Sequence, residues 1–139
     1  MVRIELMRWE QARTIAGPIR FSIFVGEQHV PPGIELDDKD ADCIHAIAYD
    51  EAGKAVGTGR LLPDGHIGRM AVVKDWRRRG VGAAILEALT EEARKRGHAE
   101  VVLSAQLQAL EFYRGQGFTA EGKVYEEAGI LHQLMRRRI

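Results

Sequence analysis

The sequence predicts one mixed α/β domain, α+β in layout, over residues 1–139: a mostly antiparallel sheet with a central parallel pair. Three observations predict it. Strand-like and helix-like segments succeed one another in the order β-α-β-β-β-α-β-α-β-β. The turns "EAGK" and "PDG" join neighbouring strand segments at hairpin spacing. One run, His66 to Ala105, reads strand-helix-strand, which demands a right-handed crossover between parallel strands.

In chain order, "VRIELM" (Val2 to Met7) alternates as a short strand, and Trp9 to about Phe24 reads as helix. Gly17-Pro18 interrupts that helix and predicts a kink or a division into two. Val30 to Asp42 reads as a loop, because Pro31-Pro32-Gly33 blocks helix and five acids fall between Glu35 and Asp42. That acidic run is either a solvated loop or an attractant for an amine. "CIHAIAYD" and "KAVGTGRLL" are the next two strands, with Gly57 and Gly59 predicting a bulge or a close backbone approach. "HIGRMAVV" is the fourth strand. Gly80 to Arg96 is a helix whose buried stripe is Val81, Ile85, Leu89 and Ala93, stopped by Gly97. "EVVLSA", a short helix from Leu107 to Gln116, "FTAEGKVYEEAG" and "ILHQLMRRR" complete the sheet.

With 45% hydrophobic and 29% charged residues the chain has the composition of a water-soluble globule. Its net charge of zero argues against nucleic acid as the main partner, although 15 of its 20 basic residues are arginine. Arg136 to Arg138 reads as a solvated tail. The single cysteine, Cys43, sits in an apolar run as a buried structural thiol and fits a reducing compartment. No signal peptide and no membrane-spanning apolar run is visible, so the expected location is cytoplasmic, with no membrane partner. His29, His45, His66 and His98 show no metal-ligand spacing, so no metal is expected.

The start of the third-quarter helix is chemically unusual. The first four N–H groups of a helix lack intrahelical partners, and Ser, Thr, Asp or Asn normally caps them. Here the preceding residues are Arg77, Arg78 and Arg79, which only donate and which add positive charge to the positive end of the dipole. Gly80 and Gly82 clear side chains from the backbone. A bound phosphate group satisfies all of these at once. A Walker A loop is excluded, because no Gly-Lys-Ser/Thr follows; a dinucleotide fingerprint is excluded, because Ile85 stands where the third small residue belongs.

Arg77-x-x-Gly80-x-Gly82 after "MAV" (Met70 to Val72) resembles the acetyl-CoA motif of the GNAT N-acetyltransferases. The likeness extends over nearly the whole strand-helix order. It implies that the backbone around Arg77, Arg78, Arg79, Gly80, Val81 and Gly82 cradles the CoA pyrophosphate. It also implies that the parallel pair splays at the CoA site, with pantetheine bonded to Met70, Ala71 and Val72. Gln106, just after the fifth strand, is placed to hydrogen-bond either the pantetheine or the substrate. "IRFSIFVGEQHVPPGIELDDKDAD" and "VYEEAGILHQLM" are similar to the ElaA- and YjcF-like branch, with Leu131 in place of a usual proline and Ala128 displacing an acid before Gly129.

Acyl transfer to an amine needs a base for the amine proton and an acid for the departing thiolate. In "ALEFYRGQGF" the resemblance gives Tyr113 the position of the acid, and near the chain end it gives His132 the position of the base. His132 also has the strand parity of a core residue, and Glu27 or a water relay competes for its role. Arg20, Glu27 and Gln28 fall in the segment that borders the acceptor site in this family, and Arg60 and Arg69 lie on neighbouring strands. Inward-pointing arginines would suit an acceptor with a carboxylate or phosphate; otherwise they pair with the acidic loop at the surface. The expected activity is direct transfer of acetyl from acetyl-CoA to the primary amine of a small molecule. A CoA sensor without turnover and a protein acetyltransferase are the alternatives, and a homodimer is left open.

Overall fold

A computed structural model describes residues 1–35 and 37–139. Leu36, inside the expected loop, lies outside the described residues. Strand β1 (Arg3–Arg8) leads into helix α1 (Trp9–Arg20), which continues as π-helical turns over Phe21–Glu27. A single helical turn, α2 (Pro32–Glu35), and a 3₁₀ turn (Asp40–Asp42) precede β2 (Ile44–Tyr49), β3 (Ala55–Leu61) and β4 (His66–Val72). A 3₁₀ turn at Lys74–Trp76 precedes α3 (Val81–Lys95) and β5 (Glu100–Gln106). A further 3₁₀ turn, Leu107–Ala109, runs into α4 (Leu110–Gly115), and β6 (Thr119–Glu127) and β7 (Ile130–Arg138) end the chain.

The seven strands form one sheet in the order β1-β2-β3-β4-β5-β7-β6. Every neighbouring pair is antiparallel except β4 and β5, which α3 connects as a crossover. The predicted stripe of α3 is the buried one: Val81, Ile85, Leu89 and Ala93 pack on one face of the sheet with Leu103 and Met135. On the other face, Ile19 and Ile23 cover Ala71, while Ala12 and Ala16 cover Ile47.

Gly57 and Gly59 fulfil both parts of their expectation. A Cβ on Gly59 would sit 2.8 Å from Met70 Sδ and 2.9 Å from Ile85 Cγ2, and one on Gly57 would sit 2.9 Å from Ile85 Cδ1. The missing side chains let α3 lie close against β3. The bulge is carried by β4: Thr58 pairs with Ala71 and Arg60 with Gly68, so Arg69 and Met70 oppose the single Gly59. Gly59→Ala is therefore expected to lower stability by roughly 1–3 kcal/mol, the usual cost of overpacking a filled interior. Urea denaturation of the two proteins checks it.

Three expectations are corrected. The first helix passes through Gly17-Pro18 and changes only after Arg20, where the Phe21 N–H bonds the carbonyls of Gly17 and Pro18 and the turns widen. The acidic segment is partly helical, because Pro32 stands at the first position of α2, where a missing N–H costs nothing. Arg136 to Arg138 belong to β7 rather than to a tail: Arg136 bridges Glu100 and Glu121, and Arg137 pairs with Glu87. Cys43 is buried as expected, and burial pushes its thiol up to about 11.

Candidate active site

Strands β4 and β5 pair only over the first two residues of β4, through His66 with Val102 and Ile67 with Leu103 in the middle of β5. The reason lies in the bulge at Arg69–Met70, where Arg69 holds a left-handed φ of 49°. A bulge sharpens local twist and turns the rest of β4 away from its neighbour. The gap becomes a cavity of about 330 Å³. Ile67 and Leu103 lie at its closed end, and Met70, Ala109 and Tyr113 line one side. Phe24, Val30 and Ile34 form a second side, and the β6–β7 hairpin adds Glu127, Ile130 and His132.

Tyr113 is held by edge-on packing against Phe112 and Phe118, at 5.0 and 5.9 Å between ring centroids. Burial pushes its phenol up to about 12, so it stays protonated at neutral pH. His132, 8% exposed, places Nδ1 2.7 Å from the Ile130 carbonyl. A carbonyl only accepts, so Nδ1 carries a proton, and Nε2 is the nitrogen that holds the lone pair in the neutral ring. Tyr125 stacks on the imidazole at 6.0 Å. Thus His132, which parity alone could equally put in the core, is nearly buried and also lines the cavity.

Helix α3 starts as the sequence predicts. Gly80 adopts φ 80°, and among the described residues no side chain caps the helix. A Cβ on Gly80 would meet nothing within 4 Å, so the space beside this backbone is open. Arg78 and Arg79 flank it, exposed, with Arg79 5.0 Å over the Trp76 ring. Backbone donors with no side-chain cap among the described residues, an open approach and two exposed cations fit a diphosphate such as that of coenzyme A. Arg77 differs from its neighbours. Its Nε donates to the Val72 carbonyl at 2.9 Å and its Nη2 to Glu27 at 2.9 Å, tying the end of β4 to the π-helical turns. Beyond Ile67 the main chain of Met70, Ala71 and Val72 has no partner on β5, as a backbone-bonded cofactor arm requires.

The acceptor-side residues separate into two groups. Gln28 and Gln106 both line the cavity and bond each other at 2.8 Å. Arg69 also lines it. Arg20, Arg60 and Glu27 do not line it. Glu27 is engaged by Arg77 as described. Arg20, 1% exposed, donates Nε to Glu35 at 2.6 Å and both terminal nitrogens to the Asp40 carboxylate at 2.8 and 3.0 Å. Arg60 bonds Asp37 and Asp40, and Arg69 bonds Asp37 and the Ile34 carbonyl. The arginines do pair with the acidic loop, Arg20 and Arg60 in the interior through Glu35 and Asp40, and Arg69 at the half-buried Asp37. The hydrogen bond and charge of Arg60 hold the Asp37 carboxyl well below the usual range. Burial pushes the Asp40 carboxyl up, and the bonds from Arg20 and Arg60 overcome that push and leave it low. His45, lowered by burial, donates Nε2–H to the Asp40 carbonyl at 2.9 Å. Among the described residues no cluster could hold a metal ion, and no helix is long and apolar enough to cross a membrane.

Sequence reasoning missed Ser104, Tyr125 and Glu127. Ser104 Oγ bonds the Tyr125 hydroxyl and lies 3.3 Å from Glu127 Oε2. The only local signal was the strand parity that puts Tyr125 and Glu127 on one face.

Known proteins share this architecture. Residues 34–139 match the family model described as an acetyltransferase (GNAT) domain. YjcF of Bacillus subtilis, described as an uncharacterized N-acetyltransferase, is 37% identical over 123 residues, covering 86% of this chain and 87% of its own. A Pseudomonas aeruginosa structure described as an acyl-CoA N-acyltransferase superposes with a TM-score of 0.86 at 28% identity, covering 99% of both chains. Escherichia coli ElaA superposes with a TM-score of 0.86 at 25% identity, covering 99% of both chains. With a family match over most of its length, a split parallel pair and an uncapped α3, this chain belongs to the GNAT family of N-acetyltransferases.

Proposed function

We propose that this enzyme transfers acetyl from acetyl-CoA to the primary amine of a small molecule, by direct attack in a ternary complex. The observation that supports it is a single cavity, opened by the splay of β4 and β5, lined by both Tyr113 and His132. Bound acetyl-CoA would supply an activated thioester, held at its diphosphate by the backbone of Arg78 to Gly82 and along its arm by Met70 to Val72. His132 Nε2 would take a proton from the acceptor's ammonium, freeing the lone pair that forms the C–N bond. Tyr113 would give its proton to the sulfur as the C–S bond breaks, and its phenolate would recover one from the newly acylated nitrogen. Cys43 takes no part as a covalent carrier, because it is fully buried and its Sγ bonds the Lys39 carbonyl.

Acetyl-CoA at about 100 times its Kd is expected to stabilise the fold by ~2.7 kcal/mol. A rise of roughly 10 °C in a thermal-shift assay would follow for a domain of this size. No shift at millimolar acetyl-CoA would remove the cofactor assignment. Thioester consumption across a panel of amines then separates an enzyme from a sensor, which would bind without turnover.

A further inference from the structure

We infer that Glu127, set by Ser104 and Tyr125, receives the acceptor's ammonium group, and that the acceptor is a primary amine with an apolar body and no carboxylate. This rests on the acetyltransferase reading above. In the β6–β7 hairpin Glu127 pairs with Ile130 and Tyr125 with His132, so all four share one face. Ser104 joins them from β5, opposite Leu134, and its hydroxyl contacts both the Tyr125 hydroxyl and Glu127. Ser104, Glu127 and His132 line the same cavity. A carboxylate here draws a cation to the wall that carries His132, the group that must take a proton from it.

The charge balance of the other walls decides what else the acceptor carries. Glu35 reaches the cavity but is bonded to Arg20. Arg69 reaches it but is bonded to Asp37, and its Nε, which lacks a partner, is buried out of a ligand's reach. Among the described residues Glu127 forms no ion pair, so the uncompensated charge in the cavity is negative. Among the described residues a carboxylate on the acceptor would meet only Arg69, a cation already paired with Asp37, and would face the unpaired Glu127. Phe24, Val30, Ile34 and Ile130 supply the apolar remainder.

The test is steady-state kinetics of wild type and Glu127→Gln on matched amines: phenethylamine with phenylalanine, and 3-methylbutylamine with leucine. Wild type is expected to favour each plain amine over its amino acid. Glu127→Gln should raise KM for the plain amines about tenfold or more, with kcat within about threefold, and should leave KM for the amino acids unraised. A merely structural role would raise both alike. An unchanged KM for the plain amines in Glu127→Gln, or a wild-type preference for the amino acids, overturns this inference alone. No thioester consumption with any amine overturns the acetyltransferase reading and this inference together.

Discussion

Arg20→Leu is expected to cost about 3–5 kcal/mol, the usual penalty for removing one partner from a buried ion pair. At the few degrees per kcal/mol typical of such domains, the melting temperature falls by more than about 10 °C. The cost is not the loss of a favourable bond so much as the stranding of its partners. Glu35 and Asp40 are each 3% exposed, and without Arg20 their carboxylates lose their strongest donors inside the protein. Thermal melts of the two proteins check it. The same network dictates the acid response. Asp37 and Asp40 titrate below their unfolded values, so their stabilisation is full above about pH 4, the unfolded carboxylate range, and drains away as pH falls through the folded values. His45, held neutral by burial, adds a loss that begins higher, below about pH 6.5. Arg20→Leu should show a shallower loss between neutral pH and pH 3, because Arg60 alone then opposes the burial that pushes the Asp40 carboxyl up. A slope equal to that of wild type would mean that Asp40 is not governed by Arg20.

The second large effect is on rate. His132→Ala and Tyr113→Phe are each expected to lower kcat by about 10²–10⁴, the usual contribution of a positioned base or acid. The acetyl-CoA thermal shift should survive in both, because neither residue belongs to the diphosphate loop. For Tyr113→Phe the packing against Phe112 and Phe118 is preserved, so only the proton is removed. Turnover unchanged in Tyr113→Phe under conditions where chemistry limits the rate would take the acid role from it. Turnover unchanged in His132→Ala under the same conditions would return His132 to the core.

Much of the fold was legible because its signals are local. The stripe of α3, the paired glycines of β3 and the uncapped arginine-glycine turn each occupy a few consecutive residues with one physical explanation. The partners of Arg20 were not legible. They lie 15 and 20 residues away, across two helical turns, and nothing in "ELDDKDAD" distinguishes the acids that turn inward, Glu35 and Asp40, from exposed Asp38 and Asp42. The site was half legible for the same reason. Tyr113 and His132 stood out through motif resemblance, whereas Glu127 looks like any polar residue on an edge strand until β5 brings Ser104 beside it. The π-helical turns carry no sequence mark of their own, and Gly17-Pro18 pointed to the wrong residue for the change.

The cavity's two long sides have different tolerances for change. On the side of α1 and α2, Glu35 belongs to a network with Arg20, Asp40 and Arg60 in which losing one member strands a buried charge. The hairpin side is an edge ribbon closed by Ala128 and Gly129, both at positive φ, with Leu131 and Tyr125 open to solvent. Mutations there would seldom threaten folding. Lineages descended from such a scaffold could diversify their acceptors by rewriting one hairpin, leaving the donor machinery inherited intact.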